Sequence, residues 1–238
     1  GATKSMTSEQ KNTCIMCRAK QVAGGSKEDI ERLRKWVKKG KAWAMGMLAE
    51  RYRTGVGVKQ SDKKAVEFEE MAAKRGDASA QYNLGLFYSQ GSRGVTQSSK
   101  RAIEYYTLAA EQGHEKAQLN LGIMYANGDG IEQSDKKAIE LYEMAAKRGL
   151  AAAQYNLGVC YEQGVRGLTQ SSKRASEYYT LAAEQGYADA QFNLGQLYYF
   201  GKGIETCYAK ARELWTKQQH KELNKLLIIL KYWTNKKE

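Results

Sequence analysis

The chain has 238 residues, 42% hydrophobic and 27% charged, with 23 glycines and no proline, a soluble globular composition in which glycine marks helix ends rather than disorder. Its formal net charge of +12 is unevenly placed: residues 1–41 carry 11 basic and 4 acidic groups, residues 42–203 carry 19 and 18, and residues 204–238 carry 8 and 4. The longest apolar run, Leu226 to Leu230, falls far short of the roughly 18 residues of a membrane span, no apolar signal segment is present, and the scattered Cys14, Cys17, Cys160 and Cys207 form no disulfide framework.

The N-terminal stretch 1–25 reads as a disordered tail or the remnant of an upstream module. Within it, Cys14-Ile15-Met16-Cys17 is half a zinc site. The pair resembles the last cysteine pair of a RING finger, a ubiquitin-ligase module, but the other ligands are absent. His114 and His220 lie too far along the chain to complete it, so no metal site is expected and Cys14 and Cys17 are the only candidates. Residues 26–41 follow as an N-terminal capping helix. Ser26-Lys27-Glu28-Asp29 fits a capping box, and Ile30, Leu33 and Val37 form an apolar stripe that can cover the first repeat.

From residue 42 to 220 the chain repeats itself. Ala49, Gly85, Gly122, Gly158 and Gly195 lie 36, 37, 36 and 37 residues apart. A tyrosine follows each by three residues (Tyr52, Tyr88, Tyr125, Tyr161, Tyr198), and a glycine by six. The alternation has a visible cause. Loops one, three and five read Gly-x-Gly, as in Gly55 to Gly57, whereas loops two and four read Gly-x-x-Gly, Gly91 to Gly94 and Gly164 to Gly167. Gln60 to Ala65 recurs at Gln133 to Ala138, and Gln97 to Ala102 at Gln170 to Ala175, so a two-repeat block of 73 residues was duplicated.

Each unit reads as two helices. The first is predicted over about Ala78 to Gln90, with Ala80, Leu84, Gly85 and Tyr88 on one face and a small residue at Gly85 for close helix approach. The second starts near Ser98 or Ser99, where serine caps free amides, carries Ala102, Ile103, Tyr106 and Ala109-Ala110, and ends at Gly113. The pattern Ala80-x3-Leu84-Gly85-x2-Tyr88-x2-Gly91, then Lys100-x-Ala102-x3-Tyr106-x2-Ala109-Ala110-x2-Gly113, resembles the Sel-1-like repeat family, relatives of tetratricopeptide repeats. The resemblance covers five units. It implies an all-α, right-handed α/α superhelical solenoid of antiparallel helix pairs, and roles as adaptors in signalling or protein quality control. The first unit departs from the pattern, with Ala49 for glycine and Met47 for asparagine.

Carrying over the tetratricopeptide register gives a concave groove lined by the first helices. Its rungs are Tyr82, Asn83 and Leu86; Leu119, Asn120 and Ile123; Tyr155, Asn156 and Val159; and Phe192, Asn193 and Gln196. An asparagine offers both donor and acceptor, so an amide ladder can pair with any peptide backbone, while the apolar positions beside it supply area and selectivity. The alternative is that the amides bond within the array and that the aromatic positions serve inter-repeat packing. Ser89, Gln90, Glu162 and Gln163 would form the rim.

At the far end Gln218-Gln219 replaces the double alanine, and residues 221–238 read as a C-terminal capping helix and tail bearing Leu223, Leu226, Leu227, Ile229, Leu230 and Trp233; a dimer or partner contact is the other reading. The function expected is a non-catalytic scaffold or adaptor that holds a protein or peptide in the groove. A part in a ubiquitin-ligase or quality-control complex, or in a large assembly, is the alternative. No small-molecule substrate and no cofactor are expected. The array lacks the clustered basic groups of a nucleic-acid surface, and Gly-x-Ser-x-Gly, phosphate-loop and His/Glu metal patterns are absent, which argues against an enzyme. The expected compartment is intracellular and cytoplasmic, an organelle staying open because the chain begins with glycine.

Overall fold

Glycine in the left-handed region ends each first helix, and serine caps second helices at Ser61, Ser134 and Ser171. The computed structural model describes residues 25–216; the Cys14/Cys17 pair, His220, Gln218-Gln219 and the expected C-terminal helix lie outside them. Among the described residues ten helices are complete and there are no strands. The chain divides into two units that meet at Ser98 and Ser99.

The first unit holds α1 (Lys27–Lys38), α2 (Ala42–Thr54), α3 (Asp62–Ala73) and α4 (Ala78–Gln90), with α1 packed on α2, α2 on α3 and α3 on α4. Ser26 caps α1, its Oγ accepting from the Asp29 N–H at 3.1 Å. The return arm of the box differs from the expectation. The Asp29 carboxylate accepts the N–H of Gly25 at 2.9 Å and the guanidiniums of Arg32 and Arg51 at 3.1 and 3.0 Å. Burial of Asp29 opposes its charge, but the Gly25 N–H, Arg51 and Arg32 outweigh it and hold the carboxyl below the usual range. Ile30 and Leu33 bury the face of α1 against Ala44, Leu48 and Tyr52. Each such buried side chain stabilises by about 1.5–3 kcal/mol.

The second unit holds α5 (Ser99–Glu111), α6 (Glu115–Asn127), α7 (Asp135–Lys147), α8 (Ala151–Gln163), α9 (Ser172–Glu184) and α10 (Ala188–Phe200), and residues 208–216 are helical. Its core joins small alanines, Ala138, Ala145, Ala153, Ala175 and Ala182, to Leu157, Leu194, Tyr142 and Tyr179. The helix pairs α6·α7 and α8·α9 pack most extensively, and α5·α6, α7·α8 and α9·α10 join successive pairs with no long excursion, so the pairs share a continuous interior.

Three devices recur. Each inter-helix loop is closed by the N–H at the next N-cap position donating to the recurrent tyrosine carbonyl, as in Ser61 to Tyr52, Ser134 to Tyr125 and Ser171 to Tyr161 at 2.8–2.9 Å. The longer loops accommodate their extra residue as an arginine in the left-handed region, Arg93 and Arg166, both at φ 61°. Each arginine reaches back 31 residues to the first turn of an earlier second helix, Arg93 to Asp62 at 2.8 Å and Arg166 to Asp135 at 2.7 Å. That bond joins the two repeats of one 73-residue block, which gives the longer period its physical basis. Finally, the helical glycines Gly122 and Gly158 sit beneath aromatic rings. A Cβ on Gly122 would meet Tyr142 Cε1 at 2.7 Å, and one on Gly158 would meet Tyr179 Cε1 at 2.5 Å.

Candidate functional site

The first helix of each pair buries its adjacent leucine and glycine (Leu48 and Ala49 in the first repeat) and leaves positions on either side of them partly open. All twelve groove positions lie on that partly open face. Eleven, from Tyr82 to Gln196, are half-buried, and Phe192 is exposed. Their spacing of i, i+1 and i+4 in each helix puts a rung's three side chains on one side.

The amides are not equivalent. Asn83 Nδ2 donates to Glu69 Oε1 at 2.9 Å, and Asn120 Nδ2 to the hydroxyl of Tyr106 at 3.2 Å. Asn193 hydrogen-bonds the hydroxyls of Tyr155 and Tyr179. In each case the amide ties a first helix to the preceding pair. Asn156 is half-buried and makes no side-chain hydrogen bond among the described residues. The apolar half is shared in the same way. Leu119 and Ile123 pack on one core cluster of the second unit, and Tyr155 and Val159 on the other. Tyr155 also lies against the rings of Tyr179 and Tyr187, with centroids 5.8 and 5.2 Å away.

At the rim, Glu162 accepts from the buried Tyr179 hydroxyl at 2.7 Å, and Ser89 Oγ turns onto its own helix, donating to the Leu86 carbonyl at 3.0 Å. Burial raises the Tyr179 phenol, and the bond to Glu162 adds to the effect. Glu69 is the exception in the tyrosine series. It occupies the place of Tyr106, Tyr142 and Tyr179, is 7% exposed, and leaves Oε2 without a partner. Burial pushes its carboxyl up to about 7, against the pull of the Asn83 amide. Its helix partner at the glycine position is Ala49, so the first repeat has neither the ring nor the space for one.

Two sets of residues escaped the sequence reading. Gln81, Gln118, Gln154 and Gln191 are buried, and each Nε2 donates to a carbonyl near the end of the preceding second helix, on Ala73, Ala110, Ala146 and Ala183, at 3.1–3.3 Å. They recur in the repeat register, and that recurrence was the available signal. The other set is a row of exposed aliphatic residues on the second helices. Among the described residues no group of three or more His, Cys, Asp or Glu could hold a metal ion, and no helix is long and apolar enough to cross a membrane. His114 caps α6, its Nδ1 accepting from Ala117 N–H at 3.3 Å, and Cys160 is buried, which raises its thiol.

A family model described as Sel1 repeat matches residues 44–77, 78–114, 115–150, 151–187 and 188–217. No curated protein matches the chain. Among solved structures, a Sel1 repeat protein from Oxalobacter formigenes is 30% identical, with 82% of this chain and 76% of that one covered and a TM-score of 0.76. A protective antigen of uropathogenic Escherichia coli with an SLR fold is 28% identical over 81% of this chain and 48% of its own length, TM-score 0.63. The immunity protein Pa5087 from Pseudomonas aeruginosa shares the fold at 22% identity, with 81% and 73% covered and a TM-score of 0.51. The helix-pair architecture is thus the all-α solenoid class expected from the repeat.

Proposed function

This chain belongs to the Sel1 repeat family, and from that premise we propose that it is a non-catalytic scaffold which holds a polypeptide partner along the face of its first helices. The carrying observation is the rung Tyr155, Asn156 and Val159: a half-buried apolar pair beside an amide with no internal partner. An amide so placed can pair with a peptide N–H and C=O at once, and its apolar neighbours exclude water from those bonds. The rungs at Asn83, Asn120 and Asn193 then hold the helix pairs in place and present their apolar members, Tyr82, Leu86, Leu119, Ile123 and Phe192, with Gln196 as the last polar contact.

Affinity purification from the native source, with mass spectrometry, tests the reading. Asn156→Ala combined with Gln196→Lys alters only partly exposed positions. Polypeptides recovered with the wild type should be lost with this variant while its melting temperature holds. Undiminished recovery would remove the groove from the account.

A further inference from the structure

The second helices carry a row that the groove reading does not use. Met71 in the first unit, and Leu108, Met144 and Leu181 in the second, occupy one register position, directly before the double alanine. A residue there, next to two buried alanines, would be expected in the core. Instead Leu108, Met144 and Leu181 are 46–47% exposed. Large aliphatic side chains exposed singly need no explanation, but one in each successive second helix makes a stripe.

Two clefts recur beside the stripe at an interval of 73 residues, the first of them bordered by Met144. One, of about 310 Å³, is lined by Ala110, Leu121, Tyr125, Leu141 and Met144, with Lys137 and Glu140 at its edge. The other, of about 230 Å³, repeats it with Leu194, Tyr198, Ala183 and Leu214. Between them the leucine is replaced by Tyr178, which stacks on Tyr161 at 5.6 Å, and the depression there is edged by Glu143, Arg174 and Glu177. The alternation of leucine and tyrosine therefore gives two apolar sockets with a polar step between them.

The charges beside the stripe include an acidic row. Glu104, Glu140 and Glu177 lie one turn before the three rungs, are exposed, and take part in no ion pair among the described residues. Glu111 and Glu184 lie one turn after two of them, with Lys147 and Arg148 at the middle helix. Basic side chains at the helix starts are drawn onto tyrosine faces instead, Lys137 over Tyr125 and Arg174 over Tyr161.

We propose that α5, α7 and α9 form a second docking surface, for a basic amphipathic helix of a partner protein whose large apolar side chains enter the two sockets and whose lysines or arginines meet the glutamate row. A partner helix laid across the three second helices can turn one apolar face to the stripe, and its socket-filling residues are those that meet alternate repeats. Complementary charge gives the orientation and the preference for a basic partner.

The test uses two 22-residue amphipathic helices of identical leucine pattern, one filled with lysine and the other with glutamate, titrated by fluorescence anisotropy at one ionic strength. The lysine peptide should bind the wild type at least tenfold more tightly than the glutamate peptide. Glu104→Lys/Glu140→Lys/Glu177→Lys should invert that preference, Leu108→Ser/Met144→Ser/Leu181→Ser should weaken binding at least tenfold, and Asn156→Ala should leave it unchanged. The single changes Glu140→Lys and Met144→Ser, at exposed positions, should each shift affinity about threefold and serve if a triple variant unfolds. A preference unaltered by charge reversal, or binding unaffected by the serine changes, overturns the proposal. So does a wild-type dimer in sedimentation that the serine changes dissolve, which would make a second copy the occupant.

Discussion

Alanine in place of glycine should have opposite effects at Gly158 and Gly46. Both lie inside helices, α8 and α2, where the substitution by itself gains about 1 kcal/mol of helix propensity. At Gly46 nothing approaches within 4 Å of the added Cβ, so the gain should stand. At Gly158 the Cβ would lie 2.5 and 2.6 Å from Cε1 and Cδ1 of Tyr179, about 0.9 Å inside the 3.4 Å at which ordinary contact begins. The Tyr179 side chain is fully buried and its hydroxyl is held by Glu162 at 2.7 Å, so the ring cannot swing aside cheaply. Overpacking of that kind costs about 1–3 kcal/mol, and a pinned ring argues for the upper end, leaving Gly158→Ala about 2 kcal/mol less stable than wild type. Urea unfolding followed by circular dichroism measures both changes. In a double-mutant cycle, Tyr179→Leu should cost less in the Gly158→Ala background than alone, because the obstacle has gone. The same sign at Gly46 and Gly158, or no coupling between Gly158 and Tyr179, would refute the packing reading.

Three further outcomes follow from the same structure. The native Glu69 carboxyl titrates at about 7 against 4.5 for its ordinary value, so the native state holds the proton more tightly and stability falls as pH rises from 4.5 to 7; the loss, on the order of 3 kcal/mol, should show in melting curves of the wild type and be absent in Glu69→Gln. Arg166→Ala should destabilise by about 1–3 kcal/mol through loss of the bonds to Asp135 and the Ala126 carbonyl and retention of a left-handed backbone, while Arg166→Gly, which relieves the backbone by about 1 kcal/mol, should cost measurably less in the same urea titration. Gln191→Leu removes one of the two hydrogen bonds to the Ala183 carbonyl, which keeps the Gly186 N–H, and should cost about 0.5–1.5 kcal/mol, whereas exposed Gln163→Leu should be close to neutral.

Much of this architecture is written in local chemistry. The helix predicted over Ala78 to Gln90 has those bounds because Asp77 caps its start and Gly91, at φ 63°, ends it. Serine caps and the Gly-x-Gly and Gly-x-x-Gly loops are equally local, and period alone reveals the pairing of helices. What a side chain does after leaving its helix is less legible, because the neighbouring pair decides it. Asn83, Asn120, Asn156 and Asn193 look alike in sequence, yet Glu69 and Tyr106, each 14 residues earlier, claim the first two. Asp29 reads as half of a capping box until Arg51, 22 residues on, draws it inward. Leu108, Met144 and Leu181 sit beside buried alanines and carry a core-like pattern. They stay exposed because the second helices pack through the small alanine face, which leaves the bulkier neighbour outside the contact.

The most direct test of the scaffold reading is photo-crosslinking in the native source, with benzoylphenylalanine placed at Val159 or Ile123 in the groove, and at the exposed loop residue Thr169 as control. Polypeptide adducts should form at positions 159 and 123 and not at 169. Adducts absent from both groove positions, or as frequent at the loop, would contradict a partner held along the first helices.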